Sequence, residues 1–136
     1  MSRLWPAAGA LLVTSLLAGC SSVTSSLQQS LGDATSATAT AALATKLQLD
    51  GAAPLSYVAT VYGDALTELQ GAEDSVSSLD ATPNEAVRRA TVLGTIRRAV
   101  DAVITAQEDL NAGAGLKTDS AALAAATAAL KKVAKP

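Results

Sequence analysis

The sequence contains no histidine and no phenylalanine, and only one cysteine, one tryptophan and two tyrosines among its 136 residues. Histidine is the side chain whose charge changes nearest neutral pH. Its absence removes most familiar general-base, nucleophile-activating and metal-binding arrangements. Di-iron four-helix bundles need Glu-x-x-His on two helices, so that chemistry is excluded as well. A lone cysteine, Cys20, can form no disulfide within the chain. With aromatics at 2%, any core must be assembled from smaller pieces: alanine alone supplies 31 residues, and leucine and valine are the commonest larger apolar side chains. Charge of one sign is also lacking. Ten basic residues stand against 12 acidic ones, a net charge of −2 that favours neither nucleic acid nor anionic lipid headgroups as a partner.

The N-terminus holds the most specific pattern. Met1-Ser2-Arg3 gives a short cationic start, and residues 4–17 are mostly apolar. Such a run is shorter than the ~20 residues a membrane-spanning helix needs, but it suits the core of a signal peptide. It ends in Leu17-Ala18-Gly19-Cys20, followed by Ser21-Ser22. Small side chains at Ala18 and Gly19 let a peptidase approach the backbone, and only a thiol at position 20 can carry a thioether-linked lipid. The segment resembles the lipobox of bacterial lipoprotein precursors. That resemblance implies a lipoprotein signal peptide over 1–19, recognised through Leu17, Ala18 and Gly19, with cleavage before Cys20 and lipidation of its thiol. Two or three acyl chains of the palmitate type hold a protein durably at a membrane, where one chain does not. The implied address is the cell membrane or outer membrane, facing the periplasm or the exterior. Loss of Arg3 leaves 9 basic side chains against 12 acidic ones in the mature part.

The mature part divides by composition into a Ser/Thr-rich tether over 20–33 and a helical domain over 34–136. The expected fold class is all-α: a small antiparallel bundle of three to four helices. Asp33 is a plausible cap for a helix over 34–49, with Leu43 and Leu47 at helical spacing and Asp50-Gly51 closing it. Capping-box spacing at Ser25 and Gln28 leaves open an earlier start. From Pro54 a heptad seam runs through Leu55, Val58, Tyr62, Ala65, Leu69, Ala72, Val76 and Leu79, predicting a helix over 54–79. Thr82-Pro83-Asn84-Glu85 reads as a capping box opening a third helix, whose apolar face (Leu93, Ile96, Val100, Val103, Leu110) lasts to Asn111-Ala112-Gly113. The connection is short, so these two helices should be antiparallel neighbours. Their charges are opposite, which predicts structural ion pairs of Glu73 with Arg88 or Arg89 and of Glu68 with Arg97. After Gly113-Ala-Gly115, a last helix capped by Thr118, Asp119 or Ser120 carries Leu123 and Leu130, and Lys131, Lys132 and Lys135 complement its dipole.

No other motif points to chemistry. Asp64 and Glu68, four apart, fit a solvated acidic face better than a cation site, and no metal or cofactor is expected. Gly113 to Thr118 has the flavour of a phosphate-binding loop, but Leu116 and Asn111 stand where that motif requires glycine. The sequence therefore predicts a non-enzymatic module, held at a membrane through Cys20 and working by contact with an envelope protein or as a structural element. The alternative is a carrier that accommodates an apolar envelope molecule between its helices, which requires a continuous apolar cavity of a few hundred Å³.

Overall fold

The computed structural model describes residues 21–135. The signal peptide and lipobox, including Leu17, Ala18, Gly19 and Cys20, lie outside the described residues. Four helices account for most of what is described: α1 (Ser21–Leu49), α2 (Leu55–Ser77), α3 (Pro83–Ala112) and α4 (Leu116–Ala134), with no strand among these residues. Each packs against the next, and α4 closes back on α1. The result is an up-down-up-down four-helix bundle. Across its diagonals the backbones of α1 and α3 approach more closely than those of α2 and α4.

The seam of α2 is the one read from sequence. Val58, Tyr62, Ala65, Leu69, Ala72 and Val76 are buried, and only the ends differ: Leu55 is exposed and Leu79 half-buried. In α3 the buried face is broader than the leucines and valines imply, because Thr95, Ala99 and Ala106 join Val92, Ile96, Val100, Val103 and Leu110. Leu93 is half-buried beside them. The carboxylate of Glu85 accepts hydrogen bonds from the backbone N–H (3.0 Å) and hydroxyl (2.9 Å) of Thr82, fixing the start of α3 as the capping box requires.

The first helix departs most from expectation. Residues 21–33 are not a tether but its opening turns, and Leu27 and Leu31 are fully buried. Its core stripe continues through Ala34, Thr38, Ala41 and Thr45, a 4-3-4-3-4 spacing written in small residues. The two threonines enter the core because their hydroxyls donate to carbonyls one turn back, Ala34 at 2.7 Å and Ala41 at 2.8 Å. Each polar group is satisfied within its own helix, so burial carries little penalty. Both α1 and α3 bury small residues, Thr95, Ala99 and Ala106 among those of α3, and this diagonal pair is in contact, as expected where interaxial distance follows side-chain size. The expected inward leucine Leu43 is instead 56% exposed, and Leu47 is half-buried. A helix cannot point both Leu43 and the stripe of Ala41 and Thr45 inward, and the longer stripe prevails.

Glycine terminates two of the helices. Gly51 and Gly113 take positive φ (71° and 72°), and the following N–H groups of Ala52 and Ala114 donate back to Leu47 and Asp109. Both are Schellman closures. The opening of α4 corrects another expectation. Its N-cap is Gly115, with φ at 84°, so Thr118, Asp119 and Ser120 lie inside the first turns rather than capping them.

Candidate functional site

In this bundle the start of α1, the α2–α3 turn and the end of α4 share one end, and Cys20 immediately precedes that end in sequence. We call it the proximal end. The α1–α2 and α3–α4 turns lie at the distal end.

Of the residues predicted to pair, the structure joins Glu73 with Arg97, the guanidinium Nε lying 2.6 Å from the carboxylate. This is the one ion pair among the described residues, and it corrects the expected partners. Helical side chains lean toward the N-terminus of their own helix. In an antiparallel pair Glu73 therefore leans away from the turn and Arg97 toward it, and the two meet between their backbone levels. Arg88 and Arg89 serve carbonyls instead: Arg89 donates to Leu79 O, near the end of α2, and Arg88 to Val133 O (3.5 Å), at the end of α4. Cationic donors at helix C-termini satisfy carbonyls that have no partner within the helix. Glu68 remains on the exposed face and lines a groove between α1 and α2 with Asp64, Thr40, Val61 and two alanines. The Arg97 side chain is 57% exposed, so this pair should contribute well under ~1 kcal/mol. A double-mutant cycle on Glu73→Lys and Arg97→Glu by urea denaturation is expected to give a small favourable coupling energy, and additive effects would remove the pair from the account.

The distal end holds polar groups that the sequence reading missed. Asp119 on α4 is only 3% exposed, and its Oδ2 has no hydrogen-bond partner. Burial pushes its carboxyl above the usual carboxylate range, aided by the charge of Asp109 on α3 and by a hydrogen bond between the two side chains. The Asp109 carboxylate beside it is half-buried. Gly115 makes room for it: a Cβ there would fall 2.3 Å from Asp109 Oδ2. Nearby, the hydroxyl of fully buried Tyr62 is hydrogen-bonded to Thr45 Oγ1, joining α2 to α1. The Tyr62 phenol is pushed above its ordinary value by burial, a rise offset in part by the Thr45 bond and reinforced by the charge of Asp119. The signal was present in the sequence, because Asp119 falls on the apolar seam of α4, four residues before Leu123 and three after Leu116.

Between α3 and α4, toward the proximal end, lies a broad open groove of about 510 Å³. It is lined by Arg88, Thr91, Thr95, Arg98, Ala129, Lys132, Val133 and Lys135, and by no carboxylate among the described residues. It faces away from the Asp64 and Glu68 groove. Both are surface clefts rather than enclosed cavities. The core between the helices is occupied by Tyr62, Leu31, Leu69, Ile96, Leu123 and Leu130, all essentially inaccessible. No helix among the described residues is long and apolar enough to cross a membrane, and none of these residues form a group of three or more His, Cys, Asp or Glu side chains suited to a metal.

Fold and site together define an up-down four-helix bundle with oppositely charged flanks. Comparison with family models, characterised proteins and solved structures finds no match to this chain.

Proposed function

We propose that the mature protein is a membrane-anchored envelope lipoprotein, a non-enzymatic contact or structural module attached through lipid on Cys20. The reading rests on one observation above all: a cationic start, an apolar stretch of sub-membrane length and Leu17-Ala18-Gly19-Cys20 occur in order, and a helical domain follows at once. The filled core favours a contact module over a carrier, because an apolar cargo would have to displace buried leucines and Tyr62. The charged flanks supply surfaces on which an envelope partner can dock. With α1 starting at Ser21, the lipid leads directly into the bundle and holds it close to the leaflet. Replacing Cys20→Ser is expected to abolish incorporation of labelled fatty acid and leave an uncleaved precursor. A C20S chain that is still processed to mature length and lipid-labelled would contradict the proposal.

A further inference from the structure

The α3–α4 groove gathers Arg88, Arg98, Lys132 and Lys135, and no carboxylate among the described residues lines it. None of the four belongs to the ion pair found among the described residues, which uses Arg97 and Glu73. Arg98 leans back toward the start of α3, its guanidinium 4.0 Å from where a Cβ on Gly94 would stand. Lys132 and Lys135 lie on or just past the last turn of the antiparallel α4. Cations from both helices thus converge on the proximal part of one flank. Of the nine Lys and Arg residues in 21–136, only Lys46 and Lys117 lie toward the distal end. Glu73, Asp74 and Asp80 belong to α2 and the turn beyond it, Glu85 and Asp101 stand three residues from Arg88 and Arg98 on α3, and none of the five lines the groove. Unpaired like charges held together on a rigid surface repel one another, and an anionic ligand relieves that repulsion.

We propose that this groove rests on the phosphate-bearing headgroups of the leaflet that holds Cys20, so that the bundle leans from its anchored end onto its α3–α4 flank. The inference rests on the anchoring reading for the proximity of that leaflet. Charge complementarity and position together select the occupant. The groove opens at the end of the molecule where α1 begins, and basic side chains close to an anionic surface each strengthen attachment by about fivefold. The opposite flank, with Asp64 and Glu68, turns away from the same surface. The overall negative charge of the mature chain does not oppose this, because screening confines each contact to roughly 8–10 Å.

The test attaches the mature chain, residues 20–136, to vesicles through a maleimide lipid on Cys20, so that the result does not depend on whether acylation occurs in the cell. Residues 20–136 contain no tryptophan, so a reporter can be introduced singly by Thr91→Trp in the groove or Thr40→Trp on the opposite flank. With vesicles of phosphatidylcholine plus about a third phosphatidylglycerol, acrylamide quenching of the T91W reporter should fall at least twofold relative to phosphatidylcholine alone. The T40W reporter should not change. Adding R98Q and K132Q, two exposed positions with no bonded partner among the described residues, should erase the difference without altering the helical signal. Equal quenching of T91W on both vesicles, or shielding of T40W instead, would overturn the proposal. Shielding of T91W by soluble polyglutamate but not by anionic vesicles would also overturn it, assigning the groove to an acidic protein chain.

Discussion

Truncating Leu31→Ala is expected to destabilise the mature protein by about 2–5 kcal/mol, the range for removing a fully buried leucine without collapse of its surroundings. Leu43→Ala, twelve residues on in the same helix, should change stability by less than about 0.5 kcal/mol, because Leu43 is already 56% exposed. Urea unfolding monitored by helical ellipticity measures both. The contrast is diagnostic because composition predicts the reverse: a serine- and threonine-rich stretch over 21–33 reads as a solvated spacer, and Leu43 as part of the core. Should L31A unfold at the wild-type urea concentration while L43A does not, α1 would have no structural role before residue 34.

The second large effect is a dependence on pH. The carboxyl of Asp119 is buried, with Asp109 beside it on α3, and it shares its surroundings with Tyr62 of α2, whose hydroxyl is bonded to Thr45 of α1. Its proton is held more tightly in the folded protein than in the unfolded chain. Between the ordinary aspartate value, near ~4, and the raised folded value, the native state binds more protons than the unfolded state. Stability from this group is therefore fully present below the lower value and is lost as pH rises through the higher one. Urea titrations from pH 4 to pH 8 should show that component as a decline. Asp119→Asn keeps the shape, supplies an N–H donor toward Asp109 and cannot ionise. It is expected to remove the component and to raise stability at neutral pH by about 1–2 kcal/mol, the scale of relieving a buried polar group that lacks a partner. A D119N protein less stable than wild type at pH 7.5, with the pH dependence intact, would show that Asp119 is ionised and well accommodated.

How far the sequence revealed this molecule depended on residue size. Where the heptad seam is written in valine, leucine and tyrosine, as in α2, periodicity located the helix to within two residues at each end and identified its buried face. Pro83 and Glu85 fixed the start of α3, and Gly51 and Gly113 marked helix ends, because backbone geometry there depends on few residue types. The opening of α1 was opaque because its seam consists of Ala34, Thr38, Ala41 and Thr45. A hydrophobicity pattern does not register threonine hydroxyls that bond within their own helix. The ion pairs were legible in sign but not in partner, since the lean of each side chain along its helix shifts the meeting point by more than a turn. Asp119 escaped notice as a core residue because a charge on an apolar seam becomes tolerable only through neighbours far away in sequence, here Asp109, with Gly115 giving that carboxylate its space.

On the proposed reading, Cys20 is the lipid-bearing first residue of a bundle that begins immediately after it. Mass spectrometry of the protein isolated from the membranes of its own cells tests this directly. The expected product is an N-terminal peptide that begins at Cys20 and carries a thioether-linked diacylglyceryl group. A peptide running unbroken through Leu17-Ala18-Gly19-Cys20, or one beginning at Cys20 with a free thiol, would contradict it.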